Sequence, residues 1–61
     1  MTGVDDLRVL VVEDEPIAAE AHTAYVGRVD GFEVVATVGT SQAALKTLQD
    51  KEIDVVLLDM N

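Results

Sequence analysis

Apolar residues in this chain occur in two kinds of pattern, short continuous runs and helical repeats. Residues 7–12 (LRVLVV) and 53–58 (IDVVLL) are short, β-branched and almost continuously apolar. Such runs are typical of strands that are covered on both faces. Residues 32–38 (FEVVATV) alternate instead, with Phe32, Val34, Ala36 and Val38 on one face. This alternation predicts a strand, the second in chain order, that lies nearer an edge of the sheet.

The segment between the first two predicted strands has the period of a helix. Pro16 suits the first helical turn, where its missing N–H costs nothing, and Gly31 can follow the end. Apolar residues at three- and four-residue steps form one stripe, consisting of Ile17, Ala18, Ala21, Tyr25 and Val29. We therefore expect a helix that packs this stripe on the sheet.

A second helix is predicted between the strands at 32–38 and 53–58. Either Thr40 or Ser41 can cap its amino terminus, and it continues to about Lys51. Its expected buried face consists of Ala44, Leu45 and Leu48.

The resulting order of strand, helix, strand, helix, strand predicts an α/β fold with parallel strands and right-handed crossovers. Two sheet orders satisfy it, 1-2-3 and 2-1-3. The nearly continuous apolar character of residues 7–12 favours 2-1-3, because the central strand is the most buried. In that order a crevice opens beyond the carboxyl ends of the first and third strands.

Acidic residues follow both of these strands. Glu13, Asp14 and Glu15 come after the first, and Asp59 comes after the third. Two carboxylates about 5 Å apart repel each other by roughly 3 kcal/mol at an effective dielectric constant near 20, so a cation is expected between them. Oxygen ligands without cysteine favour Mg²⁺ over zinc or copper. The pattern therefore indicates phosphoryl transfer, with Asp59 as the nucleophile and Glu13 and Asp14 holding the metal.

Composition limits the other possibilities. The chain has 61 residues, no cysteine, twelve acidic residues against four basic ones, and a net charge of −8. Direct binding to nucleic acid or anionic lipid is therefore not expected. Neither a disulfide framework nor a membrane-spanning segment is predicted, and we expect a soluble, cytoplasmic protein.

The stretches RVLVVEDEP and DVVLLDMN resemble the receiver domains of two-component response regulators. The resemblance implies a flavodoxin-like fold in which the 2-1-3 part of the sheet is present and two further strands are missing. It implies that Asp59 is the phosphoacceptor and that Asp14 binds Mg²⁺ directly. It further implies that Glu13 acts as a second acid, often through water, and that the backbone carbonyl of Asn61 binds the metal.

The stretch AHTAYVGRVDGFEVVATV resembles the branch of this family that regulates citrate and dicarboxylate metabolism. On this basis residues 1–61 are the amino-terminal part of one receiver domain, a signalling module rather than an enzyme. The implied partner is a sensor histidine kinase, and DNA is reached only through a carboxyl-terminal output domain that this chain lacks. We expect the isolated chain to associate with itself through its exposed third strand.

Two other functions are compatible with these residues. A haloacid-dehalogenase-like phosphatase also uses Mg²⁺ and a strand-terminal aspartate, although Asp59-Met60-Asn61 lacks the second acid of such enzymes. The second alternative is an interaction domain that never takes up phosphate. Glu15 is expected only to begin a helix, and His22 is expected to pack or face solvent without chemistry.

Overall fold

A computed structural model describes residues 6–60 of the chain. It contains three strands and two helices, in the predicted order: β1 (Leu7–Glu13), α1 (Pro16–Gly27), β2 (Phe32–Val38), α2 (Ser41–Asp50) and β3 (Val55–Asp59). Within residues 6–60, neither helix is long and apolar enough to cross a membrane.

The three strands form one parallel sheet in the order β2-β1-β3, so the predicted 2-1-3 order is confirmed. The central strand β1 carries the core, which consists of Val9, Leu10, Val11 and Val12. Side chains alternate between the two faces of a strand, so burial of all four requires cover on both faces. Right-handed crossovers to opposite sides of β1 supply it by placing α1 and α2 on opposite faces.

The register of β3 on β1 is held at the amino-terminal end of the pair. Arg8 N–H donates to Asp54 Oδ2 at 2.8 Å, and Asp54 N–H donates to the Arg8 carbonyl at 2.8 Å. Arg8 Nε also donates to the Glu52 carbonyl at 2.7 Å. From there the strands pair without a shift, from Val9 opposite Val55 to Glu13 opposite Asp59.

The helix ends follow local capping chemistry. Glu15 caps α1, because its Oε1 accepts from the Ala18 N–H at 2.9 Å, and Pro16 occupies the first turn. The expectation that Glu15 begins a helix is thus confirmed. Thr40, not Ser41, caps α2, with its Oγ1 accepting from the Ala43 N–H at 3.1 Å.

The predicted apolar stripe of α1 is wrong for its largest members. Ile17 is 75% exposed and Tyr25 is 69% exposed, and Ala21 is exposed as well. The half-buried row of the helix comprises Ala18, Ala19, His22, Thr23 and Val26. Glu15 and Pro16 begin the helix two residues after β1, and the Thr23 hydroxyl hydrogen-bonds the Thr37 hydroxyl of β2 at 2.8 Å. These two restraints rotate α1 away from the orientation that apolarity alone favours.

The same helix is also shorter than its stripe suggested. It ends at Gly27, and Val29 lies in the turn that follows. Gly31 then adopts a φ of 93° and leads into β2. Glycine tolerates a positive φ because it has no Cβ. The prediction that Gly31 follows the end of the helix is confirmed.

The expected burial of α2 and β3 is only partly met. Ala44 is half-buried, but Leu45 and Leu48 are exposed. On β3, Val55 and Leu57 are half-buried while Val56 and Leu58 are exposed. The reason is that α1 and α2 pack against β1 and β2, so that within residues 6–60 Val56 and Leu58 are left without cover.

Candidate functional site

Glu13 and Asp59 meet at the carboxyl end of the sheet. They are the last residues of β1 and β3, and they are direct partners in the parallel pairing. Their exposure differs, because the Glu13 side chain is 4% exposed and the Asp59 side chain is 57% exposed. The Glu13 carboxylate therefore forms the buried floor of the site, and the Asp59 carboxylate is open to a reactant.

The Glu13 carboxylate is held in an unusual environment. Its Oε2 accepts from the Glu15 N–H at 3.1 Å. Its Oε1 is buried and makes no hydrogen bond to any of residues 6–60. Burial raises the pKa of Glu13 above its ordinary value, although the Glu15 N–H acts to lower it. The like charge of the adjacent Asp59 raises this pKa further, and Asp14 adds to the rise.

His22 on α1 covers this pair of acids. Its Nδ1 lies 3.4 Å from Glu13 Oε1 and its Nε2 lies 3.6 Å from Asp59 Oδ2. The expectation that His22 packs or faces solvent did not include this contact with two acids. A sequence signal for it existed, because His22 follows Ala18, a member of the predicted buried stripe, by four residues and so lies on the same helical face.

The other predicted site residues are less closely joined. Asp14 is exposed and follows the end of β1, near enough to Glu13 to affect its pKa. Asn61, the predicted carbonyl ligand, lies outside the described residues. Within the described part of the chain, the group whose ligand atoms all lie within 4.8 Å of one another is Glu13, His22 and Asp59. Asp59 was expected to lie close to the acids at the end of the first strand, and among these acids Glu13 is its direct partner.

The donor set is suited to a divalent cation. Two carboxylates face each other across neighbouring strands, and one buried oxygen has no partner among the described residues. A cation would relieve both the repulsion and the unsatisfied oxygen. The exposed Asp59 oxygens would remain accessible to an electrophile such as phosphorus.

Comparison with known proteins connects this geometry to a family. Residues 9–61 match the family described as response regulator receiver domain. The transcriptional regulatory protein MalR of Bacillus subtilis is 37% identical over 54 residues, which is 88% of this chain and 23% of MalR. A probable C4-dicarboxylate response regulator, DctR of Halalkalibacterium halodurans, is 32% identical over 88% of this chain and 24% of DctR.

A third relative belongs to a different functional class. Protein-glutamate methylesterase/protein-glutamine glutaminase 1 of Paramagnetospirillum magneticum is 41% identical over 95% of this chain and 15% of its own length. The chain thus spans less than a quarter of the length of each of these relatives. A comparison with solved structures finds no match. The match over residues 9–61, together with the β2-β1-β3 sheet and the paired acids at its carboxyl end, identifies the chain as a member of the response regulator receiver domain family.

Proposed function

We propose that Asp59 accepts a phosphoryl group from a phosphorylated histidine of a sensor kinase. An oxygen of the Asp59 carboxylate attacks phosphorus, so that an acyl phosphate forms as the P–N bond of the phosphohistidine breaks. The electron pair of that bond stays on the departing imidazole nitrogen, which takes a proton from solvent. The observation that carries this proposal is the placement of an exposed Asp59 beside the buried Glu13.

The residues around Asp59 fit Mg²⁺ as the accompanying ion. The unpartnered buried oxygen of Glu13 supports this assignment, as do the all-oxygen ligands that Glu13, Asp14 and Asp59 offer. The backbone carbonyl of Asn61, outside the described residues, would complete the set. When bound, the ion supplies positive charge that offsets the charge of the transferred phosphoryl oxygens.

We propose that the signal acts through a transcriptional output domain. Relatives named as transcriptional and C4-dicarboxylate regulators support a transcriptional output domain and, with it, indirect contact with DNA. A haloacid-dehalogenase-like phosphatase is not favoured, because the matches are to the receiver family. We propose that residues 1–61 form the amino-terminal part of one receiver domain, which switches but does not turn over a substrate.

Location and self-association complete the proposal. A cytoplasmic location agrees with the absence of cysteine from the sequence. Self-association of the 61-residue chain through β3 is supported by the exposure of Val56 and Leu58 on a strand that is paired only on its β1 side within residues 6–60.

Phosphorylation by a small-molecule donor tests the assignment. The intact protein is incubated with acetyl phosphate and Mg²⁺, and the adduct is located by mass spectrometry. We expect one phosphoryl group on Asp59, lost in Asp59→Asn and kept in Asp30→Asn, an exposed acid in the turn between α1 and β2. A phosphoryl group on another residue, or no adduct at all, would overturn the proposal.

A further inference from the structure

His22 gives this site a ligand that an oxygen-only magnesium site does not need. The imidazole lies against both carboxylates, at 3.4 Å from Glu13 and 3.6 Å from Asp59. The helix that carries it is anchored one residue later, where Thr23 hydrogen-bonds Thr37 at 2.8 Å. The ring is therefore held over the acids by the packing of α1 on the sheet.

Two buried atoms in this cluster lack hydrogen bonds. Glu13 Oε1 and His22 Nδ1 are both inaccessible to solvent, and neither makes a hydrogen bond within residues 6–60. The Glu13 side chain is only 4% exposed, and its Oε1 faces the imidazole. Buried polar atoms are almost always satisfied in native proteins, so this pair points to a ligand between them.

We propose that Glu13, His22 and Asp59 form a site for a borderline divalent cation such as Zn²⁺. One ligand atom from each residue lies within 4.8 Å of the other two. Two ligands each about 2.1 Å from a tetrahedral zinc ion lie about 3.4 Å apart, which is the separation of His22 Nδ1 from Glu13 Oε1. Three protein ligands leave the fourth position to water or to a ligand.

The nitrogen ligand determines which metals this site prefers. Imidazole suits zinc, copper and nickel, whereas Mg²⁺ takes oxygen ligands. Asp14, which we assign to Mg²⁺, does not belong to the group of three. The two cations would therefore share Glu13 and Asp59 but differ in their third side chain, which is His22 for zinc and Asp14 for magnesium.

Zinc at this site would occupy the phosphoacceptor. This consequence rests on the proposed function, because it requires Asp59 to be the nucleophile. Both ions would need Glu13 and Asp59, so bound Zn²⁺ would exclude the Mg²⁺ that accompanies phosphorylation and would slow phosphoryl transfer. The site would act as a metal-dependent restraint on the switch.

Metal affinities of matched variants test the proposal. The intact, metal-free, unphosphorylated protein is titrated separately with Zn²⁺ and Mg²⁺ by calorimetry. We expect His22→Asn to weaken Zn²⁺ binding by at least about tenfold, since loss of even an outer partner of a metal ligand typically costs that much. Mg²⁺ binding should change by less than about twofold, and Asp14→Asn should show the reverse pattern. Glu20→Gln, which neutralises an exposed acid on α1 outside the site, should alter neither affinity.

A second measurement keeps the test independent of folding of the variant. His22 is the single histidine of the sequence, so its ring nitrogens are identified directly in a ¹⁵N spectrum of the unaltered protein. Addition of Zn²⁺ should shift one ring nitrogen strongly, whereas Mg²⁺ should not. Unchanged Zn²⁺ affinity in a folded His22→Asn protein, or an imidazole signal that does not respond to Zn²⁺, would overturn the zinc site. Absence of phosphorylation at Asp59 would instead overturn the proposed function and leave the binding result intact.

Discussion

Glu13 of β1 and Asp59 of β3 are direct partners in a parallel pair of strands, although 45 residues lie between them in sequence. This relationship depends on register, because a slip of one residue would move the Asp59 side chain to the other face of the sheet. The hydrogen bonds between Arg8 and Asp54 hold that register from the opposite end of the strands. The site is therefore a product of the whole length of the β1–β3 pairing.

The raised pKa of Glu13 predicts a specific dependence of stability on pH. A carboxyl whose pKa is higher in the folded state binds its proton more tightly there than in the unfolded chain, so stability falls as pH rises from the unfolded pKa through the folded one. In metal-free solution at pH 7, Glu13→Gln should therefore raise the free energy of unfolding above that of the unaltered protein. The gain should shrink as the pH is lowered through the raised pKa and vanish below 4.5, the ordinary value for this group.

Urea unfolding at a series of pH values measures this difference. Glu20→Gln is the matched control, since it removes an exposed carboxylate on α1 and should give no comparable trend. A Glu13→Gln protein that is less stable than the unaltered protein at neutral pH would contradict the prediction.

Magnesium should stabilise the folded protein through the same acids. A ligand that binds only the folded state adds about 2.7 kcal/mol when present at 100 times its dissociation constant. Thermal unfolding should shift upward as Mg²⁺ is added, and Asp59→Asn should largely abolish the shift. Without metal, Asp59→Asn should be the more stable protein, because it removes the like charge beside Glu13. Equal midpoints with and without saturating Mg²⁺ would favour an interaction domain that takes up no phosphate.

The core of β1 should be highly sensitive to truncation. Leu10 is fully buried, and Leu→Ala at such a position costs about 2 to 5 kcal/mol. A domain of this size has only about 3 to 9 kcal/mol of stability in total, so Leu10→Ala should leave a large fraction unfolded. Leu58→Ala, at a side chain that is 67% exposed, should cost less than about 0.5 kcal/mol. Circular dichroism in increasing urea compares the two, and similar losses would contradict the observed burial.

The cap of α2 offers a second pair of matched variants. Thr40 Oγ1 accepts from the Ala43 N–H, whereas Ser41 lies inside the helix. Thr40→Ala should reduce the free energy of unfolding by about 1 kcal/mol. Ser41→Ala should stay within about 0.5 kcal/mol of the unaltered protein. The free energy of unfolding is measured by chemical unfolding. A larger loss for Ser41→Ala than for Thr40→Ala would show that Ser41, and not Thr40, caps the helix.

The exposed apolar side chains of β3 predict self-association of the 61-residue chain. Val56 and Leu58 are exposed on this strand, which can pair with another chain through its outer edge. Val56→Lys should shift the sedimentation profile toward monomer, because a charge on the strand opposes such pairing. Ser41→Lys, an exposed substitution on α2, controls for net charge. A profile that is monomeric at all concentrations without either substitution would rule out association through β3.

Much of the architecture could be predicted because it follows from local rules. The apolar run of residues 7–12 indicated a central strand, and Pro16, Gly31 and Thr40 marked turns and helix ends. The 2-1-3 order followed from that central strand and from the handedness of crossovers. Family motifs at the ends of β1 and β3 located Asp59 and the acids near it.

Burial on the helices could not be predicted in the same way. Ile17 and Tyr25 are the largest residues of the predicted apolar stripe in α1, yet they are exposed, while His22 and Thr23 face the sheet. The short connection from β1 and the Thr23–Thr37 hydrogen bond set the rotation of the helix. The apolar character of the side chains therefore does not alone determine which face of α1 is buried.

The sequence by itself determined the order of elements, the topology of the sheet and the presence of acids at one of its ends, because these depend on local periodicity, capping and chain chirality. Only the tertiary structure decided that Glu13 is the direct partner of Asp59 and that His22 covers both. Those relations depend on strand register and on helix rotation. Each is set by contacts between residues far apart in the chain, which no local pattern encodes.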